Sequence, residues 1–393
     1  MKEKYKLLIV ARDIVNTGGG HVIEQLCKNL INYCDEIVVF TDYKNSILNE
    51  LEIKQITSFY GEKLYNYNPK RKVFKIIRHF LRVSFFAFST LKLKNKKFSE
   101  YIILDNNNEG FICDISLTHD VFTCTLLKDV KKNKRKIKRI FNPVLLFKIV
   151  KEWIVLNKNS TKFIIAISNE TLKEINFVCK KKKKPKKVIG HGVDLEKFYP
   201  NEKIKKNLRK KYNIPNEKFV LLLSGHDYER KGLEYVIKAL KLLPDDIILV
   251  VTGKGDIEPY LALAKKLSVY DRVYYLGLLN DVREGYWLSD VFVLPTSYEG
   301  WGLVATEAMG CGLPVLISKV GGVKDYLIDG YNGLAIERDE YNIAKKVLYI
   351  KNNQSIYNNI RKNGIETAKK YNWENVAKKY LEVIKFVGKQ KNV

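Results

Sequence analysis

The chain has 393 residues, more than one hydrophobic core normally fills, so we expect two domains of roughly 200 residues each. An apolar content of 46% and an aromatic content of 12% exclude an intrinsically disordered chain. The net charge of +27 is unevenly distributed, because residues 1–193 hold 38 of the 70 basic but only 18 of the 43 acidic residues. Such an excess of positive charge indicates binding to nucleic acid or to an anionic membrane surface, or else a base-composition bias of the genome.

Short apolar runs alternate with longer amphipathic segments along the whole chain. The runs predict five strands in the first half (5–11, 36–40, 101–105, 115–119 and 163–168) and five in the second (219–225, 247–253, 273–277, 291–295 and 314–318). Continuously apolar strands separated by helices such as 232–243 are typical of parallel sheets covered on both faces. We therefore predict an α/β protein with two doubly wound, Rossmann-like domains.

The domain boundary is predicted near "VIGHGVDLEKFYP" (188–200), where Gly190, Gly192 and Pro200 interrupt the pattern. We assign 1–192 to a first domain and 193–372 to a second. The segment 373–393 is assigned to a C-terminal amphipathic helix that packs back towards the first domain.

Two basic segments interrupt the first domain. The segment 69–97 contains ten basic residues, no acidic residue and many aromatic residues, and 128–156 begins basic and becomes apolar. A helix with a basic and an aromatic face suits an anionic membrane interface. A core-packing helix with a solvated lysine face is the alternative. The run "KKKKKPKK" (180–187) is interpreted as a solvated loop.

The cysteines argue against a metal site or a disulfide framework. None of the six forms a C-x-x-C pair, and no histidine cluster accompanies them. The first apolar run (7–11) is too short for a signal peptide, and no uncharged apolar stretch reaches 18 residues. A cytoplasmic protein in a reducing compartment is expected.

A cluster of three glycines, Gly18 to Gly20, follows the first strand and precedes an amphipathic helix. Glycines at a helix N-terminus allow close approach of an anionic ligand. Because Ile23 stands where the dinucleotide fingerprint needs glycine, and no P-loop motif is present, nicotinamide, flavin and P-loop chemistry are disfavoured. A flexible turn explains the cluster equally well.

Charged side chains follow two further strands, at the ends where ligands bind in doubly wound sheets. His119 and Asp120 follow the fourth predicted strand, and Arg230 and Lys231 precede Gly232 and a helix. Two cations beside a helix N-terminus suit a diphosphate. A structural histidine and a charged surface turn are the alternatives.

The segment "SYEGWGLVATEAMGCGLPV" (297–315) holds two acids eight positions apart. We predict that Glu299 lies in the loop after a strand, that a helix begins near Gly302 or Leu303, and that Glu307 lies one turn inside. Backbone N–H groups at the start of that helix are available to phosphate oxygens. A carboxylate would repel phosphate, so we expect Glu307 to accept from ribose hydroxyls and Glu299 from sugar hydroxyls.

This segment resembles the Glu-x7-Glu segment of family 4 glycosyltransferases, which have the GT-B fold of two Rossmann-like domains facing across a cleft. Other stretches resemble that family in the same order along the chain. They are "GGGHVIEQLCKNL", "AISNETLKEI", "GHGVDLEKFYP", "SGHDYERKGLEYVIKAL" and "GGVKDYLIDGYNG". The resemblance covers nearly the whole chain and is strongest through 219–335. It implies transfer of a sugar from a nucleotide diphosphate donor, with retention of configuration and no metal or other cofactor.

The resemblance also implies roles for individual residues. The catalytic group would comprise His119, facing the reacting sugar, Arg230 and Lys231, stabilising the leaving diphosphate, and Glu299, binding the donor sugar. The donor-binding residues would be Gly19, Gly20, Leu278, Gly300, Trp301, Gly302, Leu303 and Glu307. No metal ligand is expected.

Two residues depart from the family pattern. His226 stands where the family often has arginine, a variant resembling enzymes of the lipopolysaccharide core. His191 replaces the usual asparagine of the interdomain segment, and no ligand role is assigned to it. Since the first domain offers no clear carboxylate nucleophile, we favour same-face attack, in which the departing phosphate helps to deprotonate the acceptor.

The sequence thus predicts a retaining hexosyltransferase that acts on a lipid-linked or cell-surface glycan. Its predicted partners are a nucleotide-sugar donor, that acceptor, and an anionic membrane surface contacted through 69–97 and 128–156, without nucleic acid. We expect it in the cytoplasm, at the inner face of the cell membrane. The alternatives are a basic nucleic-acid-binding protein or another GT-B enzyme, such as a nucleotide-sugar epimerase or a phosphorylase.

Overall fold

The computed structural model describes residues 5–14, 18–132, 140–181 and 183–391. These residues form two compact units. The first unit combines the described parts of 1–191 and 373–393, and the second unit comprises 192–372. None of the described helices has the length and apolar character that crossing a membrane requires.

The first unit is built on a parallel sheet of seven strands in the order β3-β2-β1-β4-β5-β6-β7. The central strands are buried along almost their whole length, as continuous apolar runs predict. The strands are β1 (Tyr5–Val10), β2 (Cys34–Thr41), β3 (Lys54–Thr57), β4 (Tyr101–Asn106), β5 (Ile115–Thr118), β6 (Phe163–Ala166) and β7 (Lys186–Val188).

Eight helices of the described residues accompany this sheet. They are α1 (Gly18–Leu30), α2 (Ser46–Glu50), α3 (Gly61–Asn66), α4 (Lys72–Ser89), α5 (Phe122–Lys132), α6 (Pro143–Asn157), α7 (Asn169–Val178) and α16 (Trp373–Lys391). The last of them packs against α1, and Lys391 Nζ donates to Asp114 Oδ2 at 2.9 Å. The C-terminal helix therefore belongs to the first unit.

The second unit is built on a parallel sheet of six strands in the order β10-β9-β8-β11-β12-β13. Its strands are β8 (Phe219–Ser224), β9 (Ile247–Thr252), β10 (Val273–Gly277), β11 (Val291–Leu294), β12 (Val315–Ile317) and β13 (Leu334–Ala335). Its helices are α8 (Lys205–Lys211), α9 (Tyr228–Lys231), α10 (Leu233–Leu240), α11 (Glu258–Lys266), α12 (Arg283–Leu288), α13 (Leu303–Gly310), α14 (Glu340–Lys351) and α15 (Gln354–Lys370).

Both sheets reverse their strand order once. The reversal lies between β1 and β4 in the first sheet and between β8 and β11 in the second. Loops leave the two strands of such a pair in opposite directions, so a crevice opens at their carboxyl ends, where ligands bind in doubly wound sheets. The predicted doubly wound α/β architecture is confirmed.

The elements differ from the sequence predictions in two ways. The edge strands β3, β7 and β13 are not predicted, because they are two to four residues long and lack an apolar run. The three glycines do not precede α1 as predicted but open it, since the helix begins at Gly18. A Cβ on Gly20 would lie 2.4 Å from the carbonyl oxygen of Ile14, so close packing against the chain after β1 requires glycine there.

Candidate functional site

The carboxyl ends of β8 and β11 bring a buried ion pair together in the second unit. Lys231, at the end of α9, places Nζ 2.8 Å from Oε1 of Glu299, which follows β11. The loops are also joined by the backbone, because Ser297 N donates to Arg230 O at 2.9 Å. The pair lies at the point where the strand order reverses, and therefore where this fold binds ligands.

Arg230 completes a cluster of two cations around one carboxylate. One of its terminal nitrogens donates to Glu299 Oε1 at 2.9 Å and to the carbonyl oxygen of Tyr298 at 2.6 Å. The hydroxyl of Thr296 donates to the same carboxylate oxygen at 3.0 Å. Three donors thus hold Glu299 in one orientation. Arg230 also pairs with a second acid, because its Nε atom lies 3.4 Å from Oδ2 of Asp227.

The cluster is buried unevenly. The side chains of Lys231 and Glu299 are 6% and 9% exposed, whereas that of Arg230 is 34% exposed. Burial lowers the pKa of Lys231, and Glu299 opposes this shift by stabilising the charged ammonium group. Arg230 is therefore the cation that solvent, or a ligand in solution, reaches first.

The loop from Gly300 to Gly302 packs closely against Gly322. A Cβ on Gly322 would lie 2.2 Å from the carbonyl oxygen of Gly300, and Gly322 N donates to Glu299 O at 3.0 Å. Gly302 adopts φ +88° immediately before α13, which begins at Leu303 as predicted. The first N–H groups of a helix have no intrahelical partner, so this loop presents backbone donors beside the ion pair.

Glu307 lies one turn inside α13, as predicted. Its Oε2 accepts a hydrogen bond of 2.8 Å from the hydroxyl of Tyr286, a fully buried residue of α12. Burial raises the pKa of Tyr286 and Glu307 raises it further, so this hydroxyl remains a donor near neutral pH. The tyrosine fixes the direction of the carboxylate.

The other residues assigned to the donor are placed as follows. Trp301 is buried and its ring centroid lies 5.2 Å from that of Tyr326, so its side chain belongs to the core. Leu278, after β10, is 64% exposed. His226 Nδ1 accepts a hydrogen bond of 2.9 Å from Lys254 N, which ties the loop after β8 to the loop after β9.

The first unit places His119 directly after β5. Its Nε2 atom lies 2.8 Å from Oδ1 of Asn106, at the end of β4, and its ring centroid lies 4.9 Å from that of His191. Burial lowers the pKa of His119 to about 4. Gly19 and Gly20 are in the first turn of α1, in the same unit.

Within the second unit, the structure brings Arg230, Lys231 and Glu299 into contact. Four residues of these sites were not identified from the sequence, namely Asn106, His191, Tyr286 and Thr296. Asn106 ends an apolar strand, so the reasoning that selected His119 also applies to it. Nothing in the sequence indicated a functional role for Tyr286, because "GYWL" is typical of a core helix.

All six cysteines are buried with free thiols. Among the described residues, no three histidine, cysteine or acidic side chains are grouped as ligands of a metal ion.

Residues 204–367 match the family model described as glycosyl transferases group 1. An uncharacterized glycosyltransferase of Methanocaldococcus jannaschii is 31% identical to this chain over 236 residues, which are 56% of this chain and 59% of that protein. A Campylobacter jejuni protein, N,N'-diacetylbacillosaminyl-diphospho-undecaprenol alpha-1,3-N-acetylgalactosaminyltransferase, is 28% identical over 243 residues, which are 61% of each chain. The chain therefore spans 59% and 61% of the length of these two relatives.

The chain also resembles a solved structure over nearly its full length. Anabaena HepE, crystallised in complex with UDP-glucose, matches this chain with a TM-score of 0.73 and 16% identity, over 97% of this chain and 99% of HepE. A likeness at this identity establishes the fold. The chain therefore has the GT-B fold, and its residues 204–367 are similar to the glycosyl transferases group 1 family, in agreement with the resemblance found in the sequence.

Proposed function

We propose that this protein is a retaining glycosyltransferase. It transfers a hexose from a nucleotide diphosphate sugar to a lipid-linked or cell-surface glycan at a membrane surface. The observation that carries the proposal is the cluster of Arg230, Lys231 and Glu299 at the strand reversal of the second sheet, inside the segment that matches the family model of glycosyl transferases group 1.

The cluster suits a leaving diphosphate. Negative charge develops on the phosphate oxygen as the glycosidic bond breaks, and two fixed cations stabilise that charge where it forms. Lys231 is already held by Glu299, so little reorganisation accompanies the reaction. Arg230 is more exposed and supplies the planar group that binds phosphate with two hydrogen bonds. These cations perform the task that a divalent metal performs in other transferases, so we propose that no metal is required.

Glu307 and the loop before α13 bind the remainder of the donor in this proposal. The carboxylate, oriented by Tyr286, accepts from the ribose hydroxyls. Backbone N–H groups of Gly300 to Leu303 contact phosphate and sugar. Leu278 is exposed beside the sheet edge and contacts the base. The carboxylate and the backbone donors thus serve different parts of one molecule.

The reaction proceeds by same-face attack. The bond from the anomeric carbon to the phosphate oxygen breaks, the acceptor hydroxyl adds on that face, and its proton passes to the departing diphosphate. The proposed acceptor is a lipid-linked or cell-surface glycan, and the acceptor named for the relative from Campylobacter jejuni is of the lipid-linked class.

The membrane contact is proposed through α4 and α6, which we call the amphipathic surface. Aromatic packing joins the two helices, since the ring centroids of Phe80 and Phe147 lie 6.0 Å apart. The exposed apolar residues of this surface are Val73, Phe74, Ile76, Ile77, Phe85 and Phe88 on α4 and Leu146, Val150 and Trp153 on α6. Basic residues such as Lys75 flank them, and such a combination binds anionic interfaces.

Within the predicted contact segment 128–156, residues 133–139 lie outside the described residues. The charge and the amphipathic surface together lead us to propose a peripheral protein at the inner face of the cell membrane. Nucleic acid is not a proposed partner.

A thermal-shift screen of UDP-, GDP- and ADP-sugars tests the proposal. A ligand that binds only the native state raises the unfolding midpoint, and we expect one class of nucleotide sugar to do so. Glu307→Ala should abolish the shift, whereas Glu337→Ala, an exposed acid of the same unit, should retain it. Absence of any shift with the intact protein would count against the donor site. Conversion of the bound sugar without an acceptor would instead favour the epimerase.

A further inference from the structure

The hydrogen bond between His119 and Asn106 determines which imidazole nitrogen carries the proton. The Nε2 atom lies 2.8 Å from the amide oxygen of Asn106, which is itself buried. An amide oxygen only accepts hydrogen bonds, so Nε2 must be the donor. A neutral imidazole with a proton on Nε2 has a free acceptor at Nδ1.

His191 packs against the ring of His119. The two ring centroids lie 4.9 Å apart with an interplanar angle of 35°, within the range of favourable ring packing. His191 is only 4% exposed, and its Nδ1 has no hydrogen-bond partner in the described part of the chain. A buried polar atom without a partner costs stability, so the contribution of His191 to this site lies in its ring contact with His119 and not in that nitrogen.

We propose that Asn106 and His191 hold His119 as the neutral Nε2–H tautomer, so that its Nδ1 accepts a hydrogen bond from a hydroxyl group of the sugar substrate. This inference rests on the proposed function for the identity of that substrate. His191 is a positioning residue in this arrangement, because its nitrogen is enclosed and it acts through the ring of His119. Asn106 selects the tautomer, and His191 maintains the ring plane.

The surroundings of the pair favour neutral rings. Burial lowers the pKa of both histidines, and for His191 the nearby His119 and His21 lower it further. A proton on either ring would place a cation against the other, in a region with little water to solvate it. A protonated His119 would donate from Nδ1 and could no longer accept from a hydroxyl.

The test uses nitrogen-15 NMR of the intact protein labelled at histidine, with the His119 signals assigned by their loss in His119→Gln. The wild-type protein should show the Nε2–H tautomer of His119 from pH 5.5 to pH 8. His191→Ala should mix the tautomers. His191→Phe keeps a ring in place and should retain the wild-type tautomer. Phe386→Ala removes a ring contact with Phe163 elsewhere in the unit and is the control for general loosening.

Steady-state kinetics with the donor found in the screen provide a second readout. His191→Ala should lower kcat about tenfold at pH 6 and less at pH 8, while the affinity for the nucleoside diphosphate alone stays within twofold. A wild-type His119 protonated on Nδ1, or a His191→Ala variant with unchanged tautomer and pH profile, would overturn the inference. If no sugar is transferred by any variant, the proposed function fails, and the NMR result still decides the state of the ring.

Discussion

Nζ of Lys231 lies 2.8 Å from Oε1 of Glu299, and this ion pair links the ends of two strands that are neighbours in the sheet but about 70 residues apart in the chain. The acid offsets one cation before any ligand binds, and so the lysine is held in place without a phosphate. A donor diphosphate then binds to a preformed site rather than assembling it.

Replacing Lys231 with methionine tests its electrostatic role. Methionine has a similar length and fills the same buried space, so the packing is largely retained. We expect kcat to fall about 100- to 1,000-fold, the loss typical of removing one stabilising donor at the site of developing charge. Lys238→Met, which removes an exposed ion pair with Glu234 on α10, should stay within twofold of wild type in the same steady-state assay.

Glu299→Gln separates the two possible tasks of this acid. The amide keeps the shape of the side chain and removes the charge that offsets Lys231 and Arg230. We therefore expect calorimetric titration to show equal or tighter binding of the nucleoside diphosphate alone. If Glu299 also accepts from sugar hydroxyls, the complete nucleotide sugar should bind about tenfold more weakly. Equal losses for both ligands would mean that Glu299 only positions the cations.

The hydroxyl of Tyr286 should contribute to donor affinity without touching the donor. Tyr286→Phe removes the 2.8 Å hydrogen bond to Glu307 and leaves the buried ring in place. One such hydrogen bond is worth about 1 kcal/mol, so the dissociation constant for the nucleoside diphosphate should rise about fivefold. Tyr228→Phe, which loses a hydrogen bond to Gly253 O in the same unit, is the matched comparison and should change the affinity less.

Acid should destabilise the first unit through His119 and His191. Their pKa values are lower in the folded protein than the ordinary 6.5, and that of His119 falls to about 4. The unfolded chain therefore binds more protons between pH 6.5 and pH 4, and stability falls as pH falls through this window. Each histidine contributes up to about 1.4 kcal/mol per pH unit. Denaturant titrations at pH 7.5 and pH 5.5 should show that His191→Phe loses less stability on acidification than wild type.

The control for that titration is Phe386→Leu, which removes no ionisable group. Its difference in unfolding free energy from wild type should be the same at both pH values. A His191→Phe difference that is equally constant would show that the buried imidazole does not titrate on unfolding.

Vesicle binding should depend on the amphipathic surface. Ile76 and Ile77 on α4 are 43% and 46% exposed, so replacing both with glutamate should not disturb the core. The double variant should bind vesicles containing anionic phospholipid at least tenfold more weakly in a sedimentation assay, with unchanged nucleotide binding. Phe177→Glu places a single glutamate at a residue 69% exposed on α7 and should bind like wild type. Equal loss in both variants would indicate a nonspecific charge effect.

The fold was more accessible to sequence reasoning than the site. Ten strands were predicted because they are apolar runs, and all of them except the edge strand β10 are largely buried, whereas β3, β7 and β13 were missed because they are short edge strands without such a run. The start of α13 at Leu303 followed from the glycine before it. Contacts between segments that are distant in the chain could not be predicted from the sequence. The pairing of Lys231 with Glu299 requires β8 and β11 to be neighbours, and periodicity along the chain carries no information about strand order.

The ring contact between His119 and His191 could not be predicted from the sequence for the same reason. The two residues follow β5 and β7, and the strand between them, β6, is contributed by residues 163–166. Which ring faces which depends on the register of all three strands. His191 was noted only as a departure from a family pattern, and the structure supplies a physical partner for it.

The most direct test of the proposed reaction is transfer of labelled sugar. Nucleotide sugars labelled in the hexose are incubated with the protein and with lipid-linked glycans, and label is then measured in the lipid phase. Wild-type protein should move the label to the lipid with the donor's anomeric configuration, as read by NMR of the product, and Lys231→Met should leave it in the donor. A bound donor whose label never reaches an acceptor, or a product of inverted configuration, would contradict the proposal of a retaining glycosyltransferase.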